Sequence, residues 1–215
     1  MPLSPVFLPS PLVTLYILNF NYGEYIVQAI ESAINQTFSN FELIIIDDGS
    51  TDNSKDKIKP YEGKVNITVV YQSNKGLTTS ANVALKLARG KYFIRLDADD
   101  WFELKALEEL VNEFLFKKDT AYVFPDYWLT DKMGHDIRDV SAVELFPNNN
   151  PSAAPPHGAC TLIQTNILKS NGGYNETLVK HDGTDLYQKL LHEGAIVHLK
   201  QRLFHYRQHG RNLSF

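Results

Sequence analysis

The first half of the chain repeats one pattern, a short β-branched or aliphatic run followed by a stretch with helical spacing. Leu12 to Leu18 is the first such run. Tyr25 to Phe38 follows, with Ile26, Ala29, Ile30, Ala33 and Ile34 spaced to form one apolar helix face. Leu43 to Ile46 then reads as a buried strand ending in Asp47-Asp48-Gly49, and Ser50-Thr51-Asp52 offers capping oxygens for a short helix toward Ile58. Ile67 to Tyr71 is the third predicted strand and Thr78 to Ala88 the third helix, with Gly90 expected to stop it in a left-handed conformation. Tyr92 to Leu96 is the fourth strand and runs straight into Asp97-Ala98-Asp99-Asp100. This alternation predicts parallel strands joined by crossover helices, hence an α/β fold.

The second half is less regular. A helix with Leu104, Leu107, Leu110, Val111 and Phe114 on its apolar face precedes short aromatic runs at Tyr122 to Phe124 and Tyr127 to Leu129. Asp131 to Gly134 has the composition of a hairpin turn. Phe146 to His157 is rich in proline and asparagine and reads as a mobile loop, followed by a strand from Ala159 to Gln164. A last helix is predicted from about Thr184 to His192, then a strand from Ala195 to Leu199 and a basic, aromatic tail from Phe204 to His209. With no long polar linker, the 215 residues are expected to form one domain.

Composition narrows the classes of partner. The chain is 43% hydrophobic and 21% charged, as in an ordinary globular protein. A net charge of −4 implies neither a nucleic-acid polymer nor an anionic membrane as partner. The single cysteine, Cys160, rules out an internal disulfide and suggests a reducing, cytoplasmic compartment. Met1 to Leu12 has several prolines and lacks the basic start of a secretory signal, and no apolar run approaches a membrane-spanning length. Any membrane contact would therefore be peripheral, at the inner face.

The chemistry is concentrated at two acidic strand ends. Open α/β sheets bind ligands beyond the carboxyl ends of their strands, where Asp97, Asp99 and Asp100 fall. Two carboxylates one residue apart can share a divalent ion, Mg²⁺ or Mn²⁺, and its diphosphate; the alternative is a solvated acidic turn capping the next helix. Asp47-Asp48-Gly49-Ser50, one β-α-β unit earlier, is placed to face the same crevice. A carboxylate there can accept hydrogen bonds from a base or ribose, although an Asx turn would also use it.

Several segments together resemble the inverting glycosyltransferases of family 2. They are Asn19-Phe20-Asn21 with Tyr25, Ala29 to Phe38 ending Asn35-Gln36-Thr37-Phe38, Phe41 to Asp52, Asn74-Lys75-Gly76 with Asn82, and Gly90 to Asp100. The resemblance implies a GT-A fold, with a Rossmann-like, mostly parallel central sheet flanked by helices and a smaller mixed acceptor-side region, the nucleotide-binding half being about 12–110 and the acceptor-side half about 111–215. It further implies a nucleotide-diphosphate sugar donor, UDP-linked by family weight, and a glycan or other hydroxyl acceptor in polysaccharide or cell-surface glycan synthesis. By the same resemblance, Leu18, Asn19 and Phe20 floor the base pocket, with Phe20 stacking on the base. Asp48 holds the base edge, Asn74 and Gly76 line the nucleotide, Asp97 holds the ribose, and Asp99 is the metal ligand.

Inverting transfer needs a general base, and relatives carry it in an acidic pair just before the last helix. Here the segment is His181-Asp182-Gly183-Thr184-Asp185-Leu186, and anchoring on Asp185-Leu186 puts Gly183 at the usual position of the base. Asp182 is then the candidate, with a flexible Gly183 swinging it into place and Asp185 free to cap the helix. The tail Tyr206-Arg207-Gln208-His209 with Ser214 also matches the family, with His209 a second metal ligand and Arg207 a phosphate contact. His157 and Trp101 are candidates for the acceptor side or sugar pocket. Ser80-Ala81 stands where relatives place an arginine before Asn82. The gap at Gly183 leaves open a donor-binding homologue without activity. A nucleotidyltransferase is a further alternative, though Asn19 to Glu24 lacks its glycine-rich basic loop.

Overall fold

The alternating pattern of the first half produces three central strands whose two faces are both buried and one edge strand that is partly exposed. In the computed structural model, which describes residues 10–117, 119–142, 158–178, 182–210 and 212, β1 (Val13–Asn19) lies between β2 (Phe41–Asp47) and β4 (Tyr92–Asp97), parallel to both. On the far side of β2 lies β3 (Ile67–Tyr71), also parallel. Because side chains alternate along a strand, Val13, Leu15, Ile17, Leu43 and Ile45 enter one core while Tyr16, Ile44 and Ile46 enter the other. The first core is closed by α1 (Ile26–Ile34) and α4 (Ala106–Phe116), the second by α3 (Leu77–Leu87), α5 (Thr165–Ser170) and α6 (Asp182–Leu190). A short α2 (Ser54–Ile58) joins β2 to β3, its first amide held by Asp52 Oδ1 at 2.9 Å.

The second half extends the same sheet. Leaving β4, the order is β8 (Leu162–Gln164), β6 (Thr120–Thr130), β9 (Ala195–Arg207) and β5 (Trp101–Phe102), with β7 (Asp136–Val140) hairpinned onto β6. Among the described residues this makes one nine-stranded sheet, in which β8 pairs antiparallel with both β4 and β6. Strands of both halves of the chain therefore share one hydrogen-bonded layer. No helix among the described residues is long and apolar enough to cross a membrane.

Several expectations are corrected. The first helix ends at Ile34 rather than Phe38, because Gln36 Nε2 and Thr37 N turn away to the carbonyls of Glu103 and Leu104, at 2.8 and 3.1 Å. Gly90 is not left-handed; a Cβ there would lie 2.4 Å from Thr14 N, so close backbone approach is what demands glycine. Leu104 is exposed and precedes α4. The two aromatic runs are a single strand, β6, which passes through Pro125 by shifting its register against β9 at that point. The tail is likewise strand: β9 continues to Arg207. β8 starts at Leu162; just before it Cys160, at a positive φ of 55°, donates its N–H to Arg95 O of β4 at 2.8 Å. The expected turn at Asp131 to Gly134 is present, with Gly134 at φ 89°. The loop expected at 146–157 falls outside the described residues.

Candidate functional site

The parallel register brings the two acidic strand ends to one edge. Leu18 of β1 is paired with Ile46 on one side and Asp97 on the other, and the ladder runs on through Asp48 N to Asn19 O (2.8 Å) and Ala98 N to Leu18 O (3.2 Å). Asp48 and the Asp97 to Asp100 turn thus flank the end of β1. Phe20, the next residue along, is 45% exposed.

The β2 side is a laced set of loops. Asn19 Nδ2 donates to Asp47 Oδ1 (2.8 Å) and Ser50 Oγ (3.0 Å), and its Oδ1 is buried without a partner. Asn21, at φ 60°, accepts the Thr51 N–H on its Oδ1 at 2.7 Å. Asp48 accepts from Gln72 Nε2 (2.7 Å) and from the N–H groups of Lys75 and Gly76 (2.9 Å each). Asp48 therefore organises the 72–76 turn, a use that the sequence did not reveal and that leaves part of its acceptor capacity open. Gly49 permits this closeness: at φ 79°, a Cβ would sit 2.6 Å from Asn74 N. Asn74 is exposed beside it, and Gly76 precedes the first turn of α3.

On the β4 side, Asp99 is buried and its Oδ2 lies 2.9 Å from His209 Nε2. The His209 ring stacks on Tyr25, centroids 5.4 Å apart and planes within 14°. Asn212 completes the corner, donating to Arg207 O at 2.7 Å, accepting the His209 N–H on its Oδ1 at 2.6 Å, and standing 3.5 Å from Asp99 Oδ2. Asn212 had no sequence signal beyond a polar tail. Among the described residues no group of three or more His, Cys, Asp or Glu side chains converges as a metal cage. Asp99 and His209 nevertheless suit an ion that takes few protein ligands and completes its shell with phosphate oxygens and water, as Mg²⁺ and Mn²⁺ do.

Arg207 has a different task from the expected phosphate contact. It is 2% exposed; Nε donates to Asp99 O (2.8 Å), Nη1 to Lys132 O (2.9 Å), Nη2 to Gln28 Oε1 (2.6 Å), and its own N–H to Asp100 Oδ1 (2.9 Å). Its guanidinium carbon lies 4.6 Å from the ring centroids of both Tyr25 and Trp101. Burial pulls this guanidinium below its usual value, against the pull of Tyr25, Asp100 and Asp99. Arg207 is thus a clamp that holds the acidic turn. Trp101 belongs to the same stack, its other close neighbour being His205 at 4.4 Å and 9°, so it packs β5 onto β9 rather than presenting a free face. His205 is bracketed by Glu103 (2.8 Å) and Asp136 (3.1 Å).

Asp97 and Asp182 meet at Arg95. Arg95 Nε lies 3.0 Å from Asp97 Oδ1, and Nη1 donates to Asp182 Oδ2 at 2.5 Å. Burial raises the Asp97 carboxyl, Arg95 opposes this, and Asp99 and Asp182 add to it, leaving it at about 6. Asp100 is also pushed up, by burial and then by Asp99 and Asp97. Asp182 is the first residue of α6, and Gly183 is helical and buried behind it, where a flexible turn was expected. Asp185 does not cap the helix; it pairs with Lys189 at 2.8 Å, one turn on. His157, His181 and Ser214 lie outside the described residues.

Sequence comparison matches residues 14–169 to the family described as Glycosyl transferase family 2. The chain is 30% identical over 205 residues to a chondroitin synthase of Escherichia coli, covering 95% of this chain and 30% of that protein. It is also 30% identical over 205 residues to a hyaluronan synthase of Pasteurella multocida, covering 95% of this chain and 21% of the relative. The chain therefore spans less than a third of the length of these curated relatives. Among solved structures, it resembles S. aureus TarS 1-349 in complex with UDP, with a TM-score of 0.77 at 20% identity over 91% of this chain and 60% of that one. It also resembles the mannosyltransferase PcManGT from Pyrobaculum calidifontis in complex with GDP-Man and Mn²⁺, with a TM-score of 0.73 at 16% identity over 94% and 59%.

Proposed function

Because this chain belongs to glycosyltransferase family 2 and has the GT-A fold, we propose that it transfers a sugar from a UDP-linked donor to a glycan hydroxyl, with inversion at the anomeric carbon. The observation that carries this reading is the register of β1 with β2 and β4, which brings Asp48 and the Asp97 to Asp100 turn to the end of β1, where Phe20 is exposed. The proposal takes the chain as one domain, its nucleotide-binding and acceptor-side halves joined by the shared sheet.

In this reading Phe20 stacks on the base, above the buried Asn19 at the end of β1. Asp48 and the 72–76 turn border the nucleoside, and Asp97 takes the ribose. Asp99 and His209 hold the divalent ion; when bound, it supplies positive charge against the leaving diphosphate. Asp182 removes the proton from the acceptor hydroxyl through Oδ1, since Oδ2 is committed to Arg95. Hyaluronan- and chondroitin-type relatives support a polysaccharide acceptor.

The test is nucleoside diphosphate release by the purified chain across a donor panel, with Mn²⁺ or Mg²⁺ and with oligosaccharide acceptors. UDP release that depends on one UDP-sugar supports the reading. Nucleotide binding with neither transfer nor donor hydrolysis would sink it in favour of a binding homologue, and pyrophosphate release from a nucleoside triphosphate would favour a nucleotidyltransferase.

A further inference from the structure

Arg95 is a buried cation in contact with both Asp97 and Asp182, and the proposed mechanism leaves it without a task. It lies two residues before Asp97 on β4, so strand alternation puts both side chains on one face. Burial alone would lower its guanidinium; Asp182 first, then Asp97, outweigh that and keep it charged. Nε is 3.0 Å from Asp97 Oδ1, yet off the N–H direction, so this buried donor lacks a hydrogen bond, and Nη2 is 3.5 Å from Asp97 Oδ2. The aligned bond goes instead to Asp182. Tyr16 and Tyr174, bonded to each other at 2.7 Å, wall the same cluster. Gly158 closes it from the other side: a Cβ there would lie 2.5 Å from Arg95 Nη2 and 3.1 Å from Asp182 Oδ2.

We propose that Arg95 is a positioning residue, whose guanidinium bridges Asp97 and Asp182 and so fixes the direction of the base carboxylate relative to the bound donor. This rests on the reading of Asp182 as the base. A planar fork can hold two carboxylates at set angles, whereas a lysine ammonium is a point charge that can neutralise both without orienting either. Asp182 Oδ2 is taken by the fork, so Oδ1 is the atom aimed at the acceptor. The missing Nε alignment leaves room for Asp97 to rotate onto a ribose hydroxyl while Nη1 keeps Asp182 in place.

The experiment is steady-state transfer by the full chain carrying Arg95→Lys, Asp182→Asn or both, with folding checked by near-UV circular dichroism and UDP affinity by calorimetry. The expected result for Arg95→Lys is a kcat about 100-fold lower, the scale on which a misplacement of about 1 Å acts, with donor KM changed far less. The double variant should be no slower than Asp182→Asn alone, because both changes remove one positioned base. If Arg95→Lys does not fold, Gly158→Ala displaces the guanidinium while keeping its charge, and the same split between kcat and KM is expected. Wild-type kcat in a folded Arg95→Lys, or losses that multiply fully in the double variant, would overturn the role of Arg95 alone. An inactive wild-type protein would overturn the proposed reaction, and this role with it.

Discussion

His209 meets Asp99 at 2.9 Å across 110 residues of sequence, and the same imidazole rests flat on Tyr25. One face of the ring is thus positioned by an aromatic from the start of α1, while Nε2 points at the carboxylate. This arrangement suits a nitrogen ligand whose orientation is set before any ion arrives. Tyr25→Leu should therefore weaken Mn²⁺ binding by about 10- to 100-fold, the range for partners that orient a metal ligand. His209→Ala should abolish the metal-dependent part of UDP stabilisation. Thermal shift with Mn²⁺ titrated against fixed UDP checks both; unchanged midpoints would remove His209 from the proposed shell.

Phe20 contributes little to the core, being 45% exposed, so its removal should cost affinity rather than stability. Phe20→Ala is expected to weaken UDP binding by about 1–3 kcal/mol, the scale of base–aromatic stacking, with the melting temperature nearly unchanged. Phe20→Tyr should bind as well as wild type. Isothermal calorimetry reads both, and an affinity unmoved by Phe20→Ala would contradict stacking.

Gly49 combines φ 79° with a 2.6 Å approach to Asn74 N. Gly49→Ala therefore adds left-handed strain of about 1–2 kcal/mol and pushes on the turn that Asp48 organises. At roughly 2–4 °C per kcal/mol for a chain of this size, calorimetry should show a clear drop in melting temperature. UDP binding should fall with it.

Asp126 offers a pH test remote from the site. Burial alone would raise its carboxyl, but His198, at 2.7 Å, and the Ala142 N–H, at 2.8 Å, outweigh this and hold it below the usual value. A carboxyl depressed on folding stabilises fully above its unfolded value of about 3.9, and that contribution is lost as pH falls through the folded value. Asp126→Asn should flatten the acid limb of stability against pH and lower the plateau near neutrality, as read by urea midpoints from acid to neutral pH.

The sheet of the first half was legible because strands buried on both faces, such as Leu43 to Ile46, leave uninterrupted apolar runs. The second half hid its two longest strands. Pro125 looked like a break, but the shift of β6 against β9 accommodates it. In β9 the exposed Lys200, Gln201 and Arg202 split the apolar pattern in two. The acidic turns were visible as composition, whereas the role of Arg207 was not. Its partners Gln28 and Asp99 lie 179 and 108 residues away, and a basic residue in a polar tail carries no mark distinguishing a buried clamp from a phosphate ligand. Asp182 was proposed by residue type, but its bond to Arg95 spans 87 residues and left no local signal.

Because β8 enters the sheet beside β4 and β9 returns its end to the Asp99 turn, order of synthesis and order in space run against each other. A chain emerging from the ribosome presents Phe20, Asp48 and Asp99 early, yet the imidazole opposite Asp99 is added 110 residues later. The corner that Asp99 shares with His209 therefore forms only after the stretch between them has been made, and a truncation between the two would leave Asp99 without its nitrogen partner.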